Sequence, residues 1–396
     1  MKGRKLFTIA GSVCLMTVIA ALPLIAACAA PEPTPVPTPT PIPTPTPAPA
    51  PAEEEVIELV WSNVYPLMHP GFYDVEQLLI ERVEEFTNGR VKYIYFHGGS
   101  MLSYFENWDG VKAGLVDQTD MWLHFYPGQF RITEVFHLPF LATSSIVASA
   151  AANDFAKRDP EIQKEFGSVK VLTVHSSAIT DLHTRTELVK SMEDLKGMII
   201  GCESADLAKM VDNWGGTPMQ VDVPQGVLAL DKGVIDGGLW PWAPLRSFGL
   251  ADYLNYHTVI GLSFVVCMQS FNKERWESLP DDVRSVIDEV MGGDDWTALI
   301  GYTLDNGSRT DQQWMKEKGD QFYTMPPDEA RRWFAGAEFT VDEWLEEMKA
   351  RGVDGEKIWQ GVQDSMKQYA DNPLQMKDWY GYAGEYGSPR RPGGWD

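Results

Sequence analysis

From Pro31 to Pro51 every second residue is proline, eleven in all. Proline lacks an amide hydrogen and locks φ, so neither a helix nor a central strand can run through such a segment. The chain must stay extended in the polyproline II form, and about 22 residues at ~3.1 Å each reach roughly 70 Å. Whatever folds lies on the C-terminal side of this stalk.

On the other side, Lys2, Arg4 and Lys5 precede an apolar run from Leu6 to Ala27. A short charged region followed by an apolar one is the pattern of an export signal, with a membrane span as the competing reading. The run closes on Ile25-Ala26-Ala27 ahead of Cys28, which resembles the bacterial lipobox, where cleavage precedes a lipid-modified cysteine. The expectation is a lipoprotein signal peptide over 1–27 and a lipidated Cys28 with its proline-rich tether over 28–55. The mature protein would then be extracytoplasmic and membrane-anchored, in the periplasm or on the outer face of the cell membrane. Beyond the leader no second apolar run reaches membrane-spanning length, so the body cannot itself be a channel or permease.

The chain of 396 residues carries 33 Lys+Arg against 56 Asp+Glu, a net charge of -23. Losing the leader removes three positive charges and makes it more acidic still. Such a surface disfavours nucleic acid and anionic membranes as partners. Of four cysteines, only Cys202 and Cys267 belong to the body, and a disulfide between them and two free thiols are both open readings.

Alternation of period-two and helical patterns predicts an α/β fold. Val56–Val64 reads as a strand, Phe72, Val75, Leu79, Val83 and Phe86 recur at helical spacing, and Val91–Phe96 is a second strand. A helix near 104–113 and a short strand ending at Trp122 follow, and the alternation implies a parallel sheet. The pattern repeats over Met198–Leu239. Val169–Val174 and Leu262–Gln269 are predicted to cross between two lobes. The tail is helical from Leu279-Pro280-Asp281 onward, with a break at Gly292-Gly293.

Catalytic patterns are missing. His97-Gly98-Gly99 is similar to the oxyanion turn of lipases, yet no G-x-S-x-G elbow exists to use it, so a hydrolase is the weaker alternative. The histidines at 69, 97, 124, 137, 175, 183 and 257 form no metal-ligand spacing, and no phosphate-binding glycine loop follows any strand. No catalytic residue, metal or cofactor is expected. The economical reading is a ligand-binding protein.

Several segments in order carry a resemblance. Thr87-Asn88-Gly89-Arg90-Val91, Gly98-Gly99-Ser100-Met101-Leu102, Gly114-Leu115-Val116-Asp117 and Leu138-Pro139-Phe140-Leu141 come first. Glu193-Asp194-Leu195-Lys196-Gly197-Met198, Gly215-Gly216-Thr217-Pro218-Met219, Ala229-Leu230-Asp231-Lys232-Gly233 and Leu279-Pro280-Asp281-Asp282-Val283 follow. Over about 56–370 the chain resembles TRAP transporter solute-binding proteins of the DctP type. The resemblance implies a two-lobed periplasmic-binding-protein-like fold with a ligand cleft between the lobes and long C-terminal helices. It also implies delivery of a small organic solute to TRAP-type membrane permease subunits. Lobe I would hold 56–178 plus about 267–306, and lobe II 179–266 plus about 307–396. A surface ligand sensor or adhesive domain on the same fold is the alternative.

The same alignment assigns site residues. Asn63 is retained at the end of the first strand. Where acid-binding relatives carry an arginine clamp, this chain has Gly201; a second arginine falls on Asp181, an asparagine on Trp240, and an acidic position on Trp122. A simple C4-dicarboxylate would be poorly held. Three readings stay open: Trp122, Trp240, Trp242 and Trp61 with Asp181 holding a cationic ligand; the indoles stacking on a neutral or aromatic molecule, with Arg185 or Arg246 meeting any carboxylate; or a misaligned cleft that takes an acid after all.

Overall fold

The two strands predicted to cross between lobes organise the sheet. In the computed structural model, which describes residues 55–69, 75–142 and 144–374, they are β4 (Val169–Thr184) and β8 (Tyr256–Asn272), antiparallel along most of their length. Cys28, the leader and the tether lie outside the described residues, as does part of the turn after His69. Against the C-terminal half of β8 pack β3 (Gln118–Trp122), then β1 (Ile57–Asn63) and β2 (Val91–Phe96). Against the C-terminal half of β4 pack β7 (Gly237–Pro241), β5 (Ile199–Cys202) and β6 (Thr217–Gln220). β9 (Gln321–Thr324) pairs with the start of β8. β1, β2 and β3 are mutually parallel, as are β5, β6 and β7, and each trio is interleaved with helices as a right-handed crossover requires.

Helices α1 (Gln77–Phe86) and α2 (Asn107–Ala113) cover the first trio. The second trio carries α5 (Ala205–Asn213) and α6 (Val223–Asp231), each started by a side chain that accepts an amide hydrogen, Ser204 and Asp222 respectively. α3 (Ser145–Arg158) and α4 (Pro160–Glu165) precede β4, and α7 (Trp242–Ser247) follows β7 directly. α8 (Lys273–Ser278), α9 (Asp281–Met291) and α10 (Asp294–Lys318) follow β8, with the expected break falling at Gly292-Gly293. α11 (Pro327–Ala335), α12 (Phe339–Ala350) and α13 (Gly355–Asp371) close the described chain.

Two features depart from the sequence reading. α3 shows no apolar stripe because Ala148, Ala150, Ala151, Ala152 and Ala156 are buried around it, between β4, α10 and α13. The C-terminal helices, expected with lobe II, instead bury Val341, Trp344, Ile358, Val362 and Met366 in the cluster of Phe130, Phe136 and Phe155, which belongs to the first lobe. The chain thus crosses between the lobes a third time after β9. Cys202 and Cys267 are both buried and free, so no bridge links the strands. Among the described residues no helix is long and apolar enough to cross a membrane.

α10 and α3 approach so closely that a Cβ on Gly301 would lie 2.5 Å from Ile146 Cα and 2.9 Å from Ser145 O. Four residues further on, the Asp305 carboxylate accepts the Ser145 and Ile146 amides at 2.7 and 3.1 Å, capping α3 from a neighbouring helix. Both backbones would have to move to admit a methyl group. Gly301→Ala should therefore lower stability by about 1–3 kcal/mol, although alanine is the better helix former by about 1 kcal/mol, as read by urea denaturation.

Candidate functional site

In open α/β sheets, ligands bind beyond the carboxyl ends of the parallel strands. Here those ends converge from both trios. Tyr65 and His69 follow β1; Trp122 ends β3 and His124 sits in the 3-10 turn after it; Glu203 follows β5; Pro241 ends β7. They line one cavity together with Ser177 and Ala178 of β4, Val265 of β8 and Leu304 of α10. His124 and Glu203 also line a wider outer depression, with Phe105, Arg131, Glu134, Asp206 and Asp222 around it. The cavity is the inner end of an interlobe cleft.

The pairing of β4 with β8 shifts register between Ser176 and Ile179, which frees the floor of this cavity. There the Ser177 hydroxyl accepts the Val265 amide at 2.9 Å in place of a main-chain carbonyl. One wall is aromatic: Tyr65 stacks on His69 at 4.3 Å between ring centres, and Trp122 meets Tyr65 edge-on at 5.8 Å. Opposite stands Glu203, whose Oε1 lies 3.9 Å from His124 Nε2, beyond hydrogen-bond reach. Glu203 Oε2 and both His124 ring nitrogens are buried and have no hydrogen-bond partner.

Burial sets the protonation of this wall. Desolvation pushes the Glu203 carboxyl up to about 8 against the modest pull of the Val223 amide, with Asp222 adding to the rise. It pushes His69 and His124 down to about 3, so both rings are neutral. No arginine or lysine lines the inner cavity among the described residues.

The structure brings one of the seven expected site residues, Trp122, to the cavity wall. Asn63 stands behind it: its carboxamide oxygen accepts the Tyr65 amide at 2.5 Å and its nitrogen donates to the buried Glu76, so it shapes the turn that presents Tyr65. Asp181 is not in the cleft. Its carboxylate accepts the Trp242 indole N–H at 2.6 Å and the Ile260 and Gly261 amides at 2.6 and 2.7 Å, which use it up as a brace inside lobe II. Trp242 is buried by that bond and stacks on Phe322. Trp240 is wholly buried in the core of lobe II. A Cβ on Gly201 would lie 3.0 Å from its ring, and one on Gly238 2.6 Å, so Gly201 is the space the indole fills and not a vacated clamp. Trp61 is likewise core, between Tyr93 and Tyr95. Arg185 follows the far end of β4, eight residues or roughly 26 Å of strand from Ser177. Arg246 pairs with Asp311 at 3.5 Å and lies over Trp314. Neither arginine lines the cavity.

Glu203, His124 and Tyr65 escaped the sequence reading. The available signal for Glu203 was its place just after β5, in the loop before the Ser204 cap, where strand ends meet ligand. For His124 and Tyr65 no spacing pointed to a site.

Residues 62–348 match the model of the bacterial extracellular solute-binding proteins, family 7. The chain belongs to this family. It is 22% identical over 285 residues to the C4-dicarboxylate-binding periplasmic protein DctP of Rhodobacter capsulatus, covering 69% of this chain and 82% of that protein. A marine metagenome TRAP solute binding protein from an unidentified microbe, specific for aromatic acid ligands and solved with 3-hydroxybenzoate, superposes with a TM-score of 0.76 at 26% identity. That match covers 80% of this chain and 99% of the other. A TRAP periplasmic solute binding protein of Desulfovibrio salexigens, in an open complex, matches at 27% identity and a TM-score of 0.71, over 81% and 98% of the two chains. This family 7 chain is thus a solute-binding receptor with the two-lobed fold the sequence motifs implied.

Two outcomes follow from the buried groups. Glu203 keeps a proton in the folded chain that it loses in the unfolded one between about 4.5 and 8, so it makes stability fall as pH rises across that interval. His69 and His124 act in the opposite direction, but only between about 3 and 6.5. Chemical denaturation from pH 6.5 to 8 should show a steeper loss for the wild type than for Glu203→Gln. Separately, Trp242→Phe strands one buried oxygen of Asp181 and should cost about 1–3 kcal/mol, measured the same way.

Proposed function

We propose that this family 7 chain is a lipid-anchored receptor that takes a small organic solute into the cavity between Tyr65, Trp122, His124 and Glu203. It then hands the solute to a TRAP-type permease. The observation that carries this reading is the convergence of four strand ends from two lobes on one aromatic-walled space, floored by the strands that connect the lobes. Apolar and aromatic walls with a few convergent polar groups are the usual make-up of a ligand site. The marine metagenome relative is specific for aromatic acid ligands, and a ring-sized occupant suits the Tyr65 and Trp122 walls. With no basic side chain among the described lining residues, a simple C4-dicarboxylate has nothing to clamp it.

The leader and Ile25-Ala26-Ala27-Cys28 support cleavage before Cys28 and lipid attachment there, with the proline stalk as spacer. In a bacterial host the wild-type chain should sediment with membranes and take up labelled palmitate, while Cys28→Ala should do neither. For the cleft, Trp122→Ala should weaken the uptake of any solute that shifts the melting temperature, by about 0.5–2 kcal/mol, in a titration calorimeter. A variant with wild-type affinity would move the site elsewhere.

A further inference from the structure

We infer that the solute carries a protonated nitrogen on a ring-sized apolar body, its ammonium seated on the Glu203 carboxylate and against the faces of Trp122 and Tyr65. This rests on the cleft being the solute site, as proposed above.

Four observations converge on it. Glu203 is 6% exposed, faces the cavity and has a carboxylate oxygen without a partner. A buried, unpaired acceptor is costly, and a ligand that donates to it recovers that cost. Both nitrogens of His124, whose Nε2 is 3.9 Å from Glu203 Oε1, are also unpaired, so the same polar group can donate to Glu203 and to a ring nitrogen that lacks a proton. No lysine or arginine lines the inner cavity among the described residues, so an anion would meet a carboxyl without any counter-charge. Finally, the outer depression carries Glu134, Asp206 and Asp222 against Arg131. The Arg131 guanidinium is itself engaged by Glu134 and Glu347, which leaves the approach electronegative in a chain of net charge -23. The negative face of an aromatic ring attracts a cation and repels an anion.

Binding then moves a proton. In the empty cavity burial holds Glu203 protonated at neutral pH, since it is pushed up to about 8. An ammonium favours the ionised carboxylate, so the carboxyl releases its proton to solvent as the cation enters. The groups facing Glu203 do not take that proton up. From the turn after β3, His124 is pushed down to about 3, and His137 beyond it to about 4. From the turn before α6, Asp222 is raised by burial, and it adds to the negative field at Glu203, as Glu203 does at Cys202 and Cys267. Across the cavity Tyr65 is raised and His69 is neutral.

The test uses the full chain in detergent, stripped of bound compound by unfolding and refolding, in calorimetric titrations at pH 7 in two buffers of different ionisation enthalpy. The ligands are benzylamine, benzyl alcohol and benzoate, one ring bearing a cation, a neutral group or an anion. Benzylamine should bind at least about tenfold tighter than the other two, with close to one proton released. Glu203→Gln should weaken benzylamine about ten- to a hundredfold and abolish the buffer dependence. Trp122→Leu should weaken benzylamine and leave the proton release intact. Preference for benzoate or benzyl alcohol, or an acid extracted from the chain as isolated, would overturn the ammonium assignment and leave the receptor reading standing. Full benzylamine affinity in Glu203→Gln would overturn it as well. A chain that carries no extractable compound and binds none of the three would overturn both.

Discussion

The antiparallel pair β4–β8 is the constraint on which the rest of the molecule depends. Two strands of 16 and 17 residues run through both lobes, paired with each other in segments separated by three register shifts. A continuous pair would make one stiff plate. The register shift between Ser176 and Ile179 interrupts it where the lobes meet, and strand pairs bend and twist where a bulge releases their hydrogen bonds. The lobes are therefore joined by a strand pair and not by a loose linker, and its central irregularity carries Ser177 and Ala178, with Val265 bonded across it to the Ser177 hydroxyl. The same three residues floor the cavity.

Around that strand pair each lobe solves its packing differently. The first buries charged and polar groups beneath the site: His175 meets Asp120 at 3.0 Å, and Glu76 takes hydrogen bonds from Asn63 and Tyr95, with its carboxyl held well up by burial and by Asp120. That network fixes the turn that carries Tyr65 and His69. The second lobe packs an indole, Trp240, against glycines on its own strand, on the neighbouring β5 and on α6, and holds Trp242 through Asp181. Both devices are rigid and both lie behind the cavity wall. The aromatic richness of the chain therefore goes mostly into the core, and among the described tryptophans and tyrosines Trp122 and Tyr65 are the two that line the inner cavity.

Much of the fold was legible. The strand over Val91–Phe96 and the break at Gly292-Gly293 fall where pattern and propensity put them, because period-two burial and paired glycines act locally. Motif order was legible too, since the turns and caps that make up D-L-K-G or L-P-D-D are local devices, and they carried the family. α3 was not legible, because a helix buried on all sides has no polar face to reveal its period. The packing of α12 and α13 on the first lobe was equally hidden, as apolar stripes say that a face is buried and not against what. At the site, alignment led to Asp181, Gly201, Trp240 and Trp242, whose side chains or spaces prove to serve one another.

The sequence alone determined that the body follows a proline-rich stretch and is strongly acidic, built of alternating strands and helices, and without the motifs of nucleotide, metal or hydrolytic chemistry. These are properties of composition and of short-range order, which survive without knowledge of contacts. Only the tertiary structure decided which polar groups stay unpaired. Whether a buried carboxylate is a brace or a binding group depends on donors distant in the chain: Asp181 finds three, from residues 61 to 80 positions away, whereas one oxygen of Glu203 finds none. Hydrogen bonding is decided at a few ångströms in space, and no spacing along a chain encodes it.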